Sequence, residues 1–369
     1  MLKYDLLREK MNQGKLDAVV AISPENVFYA TGSLIITQKL IRPRLAIALL
    51  PIDKDPVFIV CGIEESLAKA ESWMKDIRSY IEFKESPIDY LTDVLKEKKL
   101  EKASIGLEED YLGIQYFETL RSRLPSVNFS DCGHIFEELR MIKSEEEIEL
   151  LSDAAKATRK AVDAAFLSTK EGDSEKDLAN KIRSNLFEMG ADEITFLVIG
   201  VGKRSSIAHP LPGEFPLTKG EIVRLDVGAL WRGYNSDVAR TASIGPPNNE
   251  QKKIYKTLME IYREVIQNMT VGKKFCDPFN LCRELYESRG LSFNFPHIGH
   301  NMGIGLHEHP MVSPEDKKPL QENMIINLEP FYRSPDGYGY HVEDLLLIRR
   351  DGPKVLTGSN LGDQIPIIE

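Results

Sequence analysis

Two aspartates on either side of a predicted turn are the first residues in this sequence whose spacing suggests chemistry. Asp226 lies in the alternating apolar stretch 222–227, and Asp237 follows the turn residues 231–235. This pattern predicts a β-hairpin, and because both aspartates are about equally far from Arg232, we expect them to lie side by side across it. Like charges about 4 Å apart repel by roughly 1 kcal/mol in water and about 4 kcal/mol at an effective dielectric near 20. Exposed turn residues avoid that repulsion, whereas a buried pair needs a divalent cation.

A second pattern of strand, turn and strand carries two further carboxylates. Residues 324–333 and 340–348 have strand-like composition and flank the turn residues Ser-Pro-Asp-Gly at 334–337. Glu329 and Glu343 are equally far from the centre of this turn, so we expect them to face each other across the hairpin. If the two hairpins pack together, four acids converge.

Histidines are concentrated in the same half of the chain. Six of the seven fall between residues 209 and 341, and four of those lie in the stretch 297–310, whose glycines let the backbone approach a site closely. We expect His297 and His309 to lie outside any ligand set. Four carboxylates and one imidazole suit two hard or borderline divalent ions better than a thiolate-type zinc site.

The charge balance of such a site has a chemical consequence. Four negative ligands balance two doubly charged ions, and a water held between two ions feels both of them. Its pKa can fall from about 15.7 towards 7, so that a hydroxide nucleophile exists at neutral pH.

The amino-terminal part of the chain must carry its own sheet. Residues 1–138 alternate strand-like and helical patterns, which predicts a small α/β domain with a largely covered sheet. The expected strands are residues 16–22, 44–50, 56–61 and 103–107, and the expected helices are residues 64–74, 87–96 and 114–124.

Residues 139–369 show a different order of elements. Ser144 and Glu147 form a capping-box pattern before a long amphipathic helix, and further helices are expected at 174–189, 250–269 and 277–290, the last with Asp277 as its N-cap. Helix pairs and hairpins alternate, as though one unit had been used twice. This predicts an α+β domain with helices covering one face of an antiparallel sheet.

Composition limits the partners and the compartment. The chain has 369 residues, a net charge of −10 and no long basic run, which argues against nucleic acid and against an anionic membrane surface as partners. The start of the sequence has no signal-peptide pattern, and no apolar stretch is long enough to span a bilayer, so we expect a cytoplasmic protein. The four cysteines show no CxxC spacing and are expected to be buried reduced thiols.

Several motifs together resemble the pita-bread metallopeptidase family, which includes methionine aminopeptidase, prolidase, aminopeptidase P and the metal-free creatinase. The matching segments are residues 225–228 (LDVG), 233–241 (GYNSDVART), 299–300 (GH), 307–310 (HEHP), 329–330 (EP) and 343–344 (ED). Residues 16–32 are similar to the amino-terminal domain of prolidase, aminopeptidase P and creatinase, so the resemblance covers the whole chain. It implies a pita-bread catalytic domain of pseudo-twofold symmetry, residues 139–369, after the α/β domain, and a homodimer.

The resemblance also implies a role for each matching residue. Asp226 would chelate one ion, Asp237 and Glu343 would bridge both, and His300 with Glu329 would complete the second ion. The ions would be manganese or cobalt, with zinc and iron as alternatives. In the implied mechanism a metal-bridging hydroxide attacks the peptide carbonyl. The resemblance thus implies five metal ligands, which are Asp226, Asp237, His300, Glu329 and Glu343.

The same resemblance gives roles to His209, His307 and the position of His341, and it gives Glu329 a second role. His209 and His307 match the family histidines that contact the substrate and the developing oxyanion, and Glu329 would shuttle a proton to the leaving nitrogen. The family commonly has an arginine two residues before the last glutamate, where it supports the substrate pocket, and this chain has His341 there. The family often has a glycine directly after the histidine that matches His300, and this chain has Asn301 at that position.

The leading hypothesis is hydrolysis of Xaa-Pro bonds in small peptides, as an Xaa-Pro dipeptidase or aminopeptidase. His341 and the altered glycine loop leave open a hydrolase of a small cyclic amidine or amide such as ectoine. A third alternative is a pseudo-enzyme that binds peptides without cleaving them, although such proteins usually lack ligands that this chain retains.

Overall fold

The computed structural model of the protein describes residues 2–41, 43–358 and 362–369. The chain divides into two compact units, Met1–Arg140 and Met141–Glu369. The sequence placed a domain boundary after residue 138, and that boundary stays a prediction. Within the described residues, no helix combines the length and the hydropathy that crossing a membrane requires.

The first unit is built on a six-stranded mixed sheet, as the α/β prediction requires. Its strands, in chain order, are β1 (Ala18–Ala21), β2 (Ile47–Pro51), β3 (Val57–Cys61), β4 (Asp76–Tyr80), β5 (Ser104–Leu107) and β6 (Asn128–Asp131). The spatial order is β4-β3-β2-β1-β5-β6. The sequence prediction missed β4 and β6, because these two edge strands are only partly buried and lack the continuous apolar run of β3.

Seven helices accompany this sheet in the described part of the unit. They are α1 (Tyr4–Gly14), α2 (Pro24–Thr31), α3 (Ile36–Leu40), α4 (Glu65–Glu71), α5 (Pro87–Glu97), α6 (Ile114–Arg123) and α7 (Gly133–Met141). The apolar side of α5, including Leu91 and Leu95, is buried in one core with sheet residues such as Ile59 and Ile105. This packing covers the sheet, because its apolar strands would otherwise face water.

In the described part of the second unit there are four helices, and the first three begin at a side-chain cap. They are α8 (Glu145–Ser168), α9 (Glu175–Glu188), α10 (Asn249–Asn268) and α11 (Cys276–Ser288). The predicted capping box of α8 is confirmed: the Ser144 hydroxyl accepts from the Glu147 N–H, and Glu147 accepts from the Ser144 N–H. The sequence predicted Asp277 as the N-cap of α11, and this prediction is wrong. The helix already begins at Cys276, and the Asp277 carboxylate accepts the Lys274 N–H.

The strands of the second unit form antiparallel sheets, apart from one parallel terminal pair. They are β7 (Glu193–Val201), β8 (Ile222–Trp231), β9 (Tyr234–Ile244), β10 (Gly299–Asn301), β11 (Glu308–Met311), β12 (Ile325–Leu328), β13 (Phe331–Arg333), β14 (Gly339–His341), β15 (Asp344–Leu347), β16 (Lys354–Val355) and β17 (Ile367–Ile368). The sheet orders are β17-β9-β8-β7, β11-β10-β12-β15-β16 and β13-β14. We call β8 with β9 the first hairpin, and β12 to β15 the second hairpin.

Each hairpin packs with one helix pair. The core of α8 and α9 includes Leu178 and Ile182 and takes Val223 and Leu225 from the first hairpin. The core of α10 and α11 includes Tyr262 and takes residues such as Ile326 and Leu346 from the second hairpin. The predicted repetition of a helix pair and a hairpin is therefore confirmed, and the polar residues of both hairpins meet between these two cores.

Candidate active site

The first hairpin sets the position of the two aspartates. Its two-residue turn consists of Arg232 and Gly233, which both have positive φ, at 48° and 85°. The centre of the hairpin therefore lies between these residues, so that Asp237 faces Gly228 while Asp226 faces Ala239. The expectation that Asp226 and Asp237 lie directly opposite each other is wrong by two residues. They are diagonal neighbours on one face, which still leaves their carboxylates within reach of each other.

The second hairpin places its glutamates as expected. Leu328 pairs with Asp344 and Phe331 pairs with His341 in a single unbroken register. Glu329 and Glu343 occupy the next matched positions, in the gap between the two ladders. The Glu343 N–H donates across to the Ala239 carbonyl of the first hairpin at 3.2 Å. This hydrogen bond connects the two hairpins where their acids meet.

The polar groups converge in two overlapping clusters. Asp226, His341 and Glu343 offer ligand atoms that all lie within 4.8 Å of one another, and Asp237, His300 and Glu343 do the same. Glu343 belongs to both clusters. The remaining acid, Glu329, brings its Oε1 to 3.7 Å from His300 Nε2.

Burial makes this cluster electrostatically expensive when no cation is present. Burial raises the pKa of Asp226 to about 6, and burial with the neighbouring Asp226 and Glu329 raises the pKa of Asp237 well above its ordinary value. Burial and the charges of Asp226 and Asp237 also raise the pKa of Glu343 well above its ordinary value. Among the residues that the structure describes, no donor satisfies Asp226 Oδ1, Asp237 Oδ1 or Glu343 Oε2.

These unsatisfied oxygens test whether divalent ions fit the residues present. Buried carboxylates need either donors or a cation, since an unpaired buried charge is strongly unfavourable. The potential ligand atoms of each cluster are carboxylate oxygens and one nitrogen of a neutral imidazole. Borderline divalent ions accept this combination of ligands. The residue set therefore fits divalent ions, and Glu343 belongs to both groups of potential ligands.

His300 is prepared as a neutral nitrogen donor. Its Nδ1 lies 3.1 Å from the Asn301 carbonyl, an arrangement that places the proton on Nδ1 and leaves the Nε2 lone pair facing the acids. Burial lowers the pKa of His300 to about 4, although Glu329 opposes this shift. The ring stacks on His307, with ring centroids 3.9 Å apart. The sequence did not reveal Asn327, which pairs with His300 in the β10–β12 register and donates to Glu343.

Asn301, which departs from the family pattern, has a structural role. It is fully buried and its side chain contacts Lys143 Nζ at 3.3 Å and the His309 carbonyl at 3.4 Å. Lys143 also lies 3.6 Å from Glu308. Because neighbouring strand residues point to opposite faces, Asn301 supports the loop on the side away from His300.

A cavity of about 140 Å³ opens beside the acid cluster. It is lined by Ala208, His209, Arg224, Asp226, Phe295, Pro296, His297, Glu329, Phe331, Arg333 and His341. His209 is exposed at this wall, and the exposed His307 lies beside His300. The structure thus brings all of the predicted site residues to one region, and their roles are taken up below as proposals.

Arg224 is a residue of the cavity wall that sequence reasoning missed. Its side chain is buried, and its guanidinium donates to the carbonyls of Ser205, Ile207 and Ala208 at 3.0, 2.6 and 2.6 Å. The guanidinium lies 5.3 Å from the ring centre of Phe331. Arg224 precedes Asp226 by two residues on β8, so the alternation of the strand would have placed both on one face.

A buried ion pair holds the two hairpins together behind the cluster. Arg240 on β9 donates to Asp344 on β15, and its Nη1 donates to the carbonyls of Ala239 and Glu343 at 2.7 and 2.6 Å. The Tyr262 hydroxyl adds a hydrogen bond to Asp344 at 3.0 Å. Because Asp344 follows Glu343 directly, this network fixes a backbone that carries the shared acid.

A buried, oxygen-rich acid cluster between two hairpins, each packed against its own helix pair, defines a metal-dependent hydrolase of pita-bread architecture. Comparison with known proteins agrees: residues 149–350 match Metallopeptidase family M24, and residues 3–142 match the Creatinase/Prolidase N-terminal domain. The chain belongs to metallopeptidase family M24, and it is an enzyme of that class. Membership implies divalent metal ions.

Relatives match over nearly the full length. The Xaa-Pro dipeptidase of Pyrococcus furiosus is 29% identical over 358 residues, which cover 96% of this chain and 97% of that protein. The Xaa-Pro dipeptidase of Pyrococcus horikoshii is 30% identical over 357 residues, with 96% of both chains covered. The crystal structure of the prolidase from Pyrococcus horikoshii OT3 matches with a TM-score of 0.86 at 29% identity, covering 97% of this chain and 98% of that one.

Proposed function

We propose that the protein hydrolyses Xaa-Pro dipeptides with two divalent ions bound by Asp226, Asp237, His300, Glu329 and Glu343. The observation that carries this proposal is the shared position of Glu343, whose carboxylate lies within 4.8 Å of a ligand atom of Asp226 on one side and of ligand atoms of Asp237 and His300 on the other. Relatives of nearly equal length that are named Xaa-Pro dipeptidases support the substrate class.

The bound ions supply a Lewis acid for the peptide carbonyl and activate a water as the nucleophile. Glu329 accepts a proton from this water and passes it to the leaving nitrogen of the peptide bond. Burial alone would raise its pKa, but the contact with His297, and the charges that His300 and His341 carry in acid, lower that pKa to about 2. The carboxylate is therefore ionised, and a proton that it accepts passes readily to a more basic leaving nitrogen.

Cleavage of any peptide bond needs a proton on the leaving nitrogen, and an Xaa-Pro bond adds a constraint on how the substrate is recognised. The proline nitrogen is part of a ring and has no N–H, so a site that recognised the scissile N–H would bind such a substrate poorly. Glu329 instead protonates that nitrogen as the bond breaks. His307 and His209, on the exposed side of the cluster, contact the developing oxyanion and the substrate.

Arg224 supports a dipeptide in preference to a longer peptide. A dipeptide carries its carboxylate close to the scissile bond, and Arg224 is a cation fixed in the cavity wall by three carbonyls. Arg333 lines the same wall, and its guanidinium lies 4.8 Å from the ring centre of Phe331. A preorganised guanidinium binds a carboxylate at low entropic cost.

A matched substrate panel tests the proposed function. Protein stripped of metal and reloaded with manganese or cobalt is expected to cleave Ala-Pro and Leu-Pro. The value of kcat/KM should be roughly 10- to 100-fold higher for Ala-Pro than for Ala-Pro-amide, because a hydrogen bond to a charged group contributes about 1.5–3 kcal/mol.

The other outcomes of the panel separate the alternatives. Preference for a tripeptide such as Ala-Pro-Gly would make the protein an aminopeptidase. Turnover of ectoine without any peptide cleavage would replace the peptidase by a hydrolase of cyclic amidines. If no compound in the panel is hydrolysed while both metal sites are filled, the result would favour the peptide-binding pseudo-enzyme.

Replacement of His307 tests the oxyanion role. We expect His307→Ala to lower kcat by roughly 100- to 1,000-fold, the range seen when one oxyanion donor is removed, while the metal content stays at the wild-type value. Kinetics with Ala-Pro and elemental analysis of the same sample measure both quantities. His309→Ala is the control, since His309 is also exposed in this loop and should leave kcat unchanged. An emptied metal site in His307→Ala would make His307 a ligand and contradict the assignment.

The native ions complete the proposal. Manganese or cobalt is proposed first, and zinc or iron is compatible with the same oxygen and nitrogen donors. Metal analysis of protein purified without chelators identifies them. The homodimer and the cytoplasmic location that the sequence suggested stay predictions.

A further inference from the structure

His341 occupies the position where the family commonly has an arginine, and it lies between the cavity wall and the acid cluster. It ends β14, two residues before Glu343, and only 4% of its surface is exposed. Its backbone is held on both sides by Thr241, whose hydroxyl accepts the His341 N–H at 2.8 Å and donates to its carbonyl at 2.9 Å. The ring packs edge-on against Phe331, with centroids 5.4 Å apart.

The imidazole of His341 lacks the partners that a structural histidine would have. Neither ring nitrogen meets the geometry of a hydrogen bond to any described residue, although the ring lies close to the backbone of Glu329. Leaving a buried polar atom unsatisfied costs about 1–3 kcal/mol, so buried imidazoles normally bond to something. One ring nitrogen of His341 lies within 4.8 Å of a carboxylate oxygen of Asp226 and of one of Glu343.

The two clusters have the same composition when His341 is counted. One contains Asp237, Glu343 and the imidazole of His300, and the other contains Asp226, Glu343 and the imidazole of His341. Orphaned atoms occur in both: Asp226 Oδ1 and both His341 nitrogens on one side, Asp237 Oδ1 on the other. A cation at each position would satisfy the two aspartate oxygens and one of the two His341 nitrogens.

We propose that His341 is a direct ligand of the ion that Asp226 binds, so that each of the two ions has one imidazole. This inference rests on the two-ion site proposed above and goes beyond the five ligands that the resemblance implies. It also replaces the role in the substrate pocket that the sequence suggested for His341. A histidine on this ion makes its donor set softer, which favours cobalt, zinc or iron over manganese there.

Cobalt binding to the full-length, metal-free protein tests the inference without turnover. Wild-type protein is expected to bind two cobalt ions in equilibrium dialysis. His341→Ala should weaken one of the two by more than the roughly 10- to 100-fold that is lost when an outer hydrogen-bond partner of a ligand is removed. At cobalt concentrations that fill both sites, X-ray absorption should show one imidazole per cobalt in the wild type and one per two cobalts in the variant.

Two further variants keep this test decisive. His341→Gln retains a polar side chain of similar reach in case the alanine variant does not fold, and circular dichroism checks both. His309→Ala, in an exposed position, should bind two cobalt ions with unchanged affinity and an unchanged visible spectrum.

The outcomes distinguish this inference from the function on which it rests. Two cobalt ions bound with wild-type affinity and imidazole count in folded His341→Ala and His341→Gln, with only KM raised, would overturn the inference and return His341 to the substrate pocket. The two-ion function would survive that result. Wild-type protein that binds a single ion would overturn both.

Discussion

Replacing Asp237 with asparagine is expected to reduce kcat/KM for Ala-Pro by at least about 1,000-fold, because metal-based charge stabilisation contributes several kcal/mol to the transition state. Asp237 is 2% exposed, its Oδ1 has no donor among the described residues, and its ligand atom lies within 4.8 Å of those of His300 and Glu343. A neutral amide removes one of the four charges that balance two ions. The loss should therefore affect both ions rather than one.

The stability of the metal-free protein should change in the opposite direction. Burial raises the pKa of Asp237 well above its ordinary value, which means that the folded state disfavours the ionised form. Asparagine is neutral at every pH, so metal-free Asp237→Asn is expected to melt at a higher temperature than metal-free wild type at neutral pH. Addition of cobalt should then stabilise the wild type more than the variant.

Kinetics, metal analysis and thermal melting on one preparation measure these effects. Asp351→Asn is the control, since the Asp351 side chain is 71% exposed and should leave activity, metal content and melting temperature unchanged. Turnover by Asp237→Asn at the wild-type rate with two ions bound would show that Asp237 is not a bridging ligand.

Replacing Arg240 with methionine is expected to lower the free energy of unfolding of the second unit by about 3–5 kcal/mol. Arg240 and Asp344 are 2% and 0% exposed, so the substitution leaves an aspartate buried without its cation. Hydrogen bonds from Tyr262 and Thr357 remain, but neutral donors replace only part of the lost interaction. Catalysis should also fall, because the backbone of Glu343 loses the donor that Arg240 provides.

Fluorescence can assign this loss to the correct unit. The chain has two tryptophans, Trp73 in the first unit and Trp231 in the second. In a Trp73→Phe background, urea unfolding followed by Trp231 emission reports on the second unit alone. Arg350→Met is the control, since the Arg350 side chain is 83% exposed in its pair with Glu322 and should contribute below about 1 kcal/mol. A loss that small in Arg240→Met would contradict the structural role of the ion pair.

Much of the architecture followed from local patterns in the sequence. The capping box at Ser144, the helix α5 and the Ser-Pro-Asp-Gly turn were predicted from residues that lie close together in the chain. Strands with continuous apolar runs, such as β3, were also found, whereas the partly exposed β4 and β6 were missed. Local patterns suffice where an element is stabilised by its own neighbours or is buried on both faces.

In the candidate site, local sequence patterns did not predict the hairpin register or the contacts between distant segments. Register in the first hairpin depended on the two positive-φ residues of its turn, so a count from Arg232 alone placed Asp226 and Asp237 two residues too close. Arg224 was missed because its partners are carbonyls of a loop 16–19 residues away. The pairing of Arg240 with Asp344 joins residues 104 positions apart, which no short motif reveals.

By itself, the sequence determined the residue types of the site, the two hairpins that carry its acids and the family to which the chain belongs. Only the tertiary structure decided that Glu343 lies in both clusters, that the two aspartates are diagonal neighbours, and that a ring nitrogen of His341 lies within 4.8 Å of Asp226 and Glu343. The physical reason is that identity and hydropathy are properties of neighbouring residues, whereas the distances among buried groups depend on how segments far apart in the chain pack together.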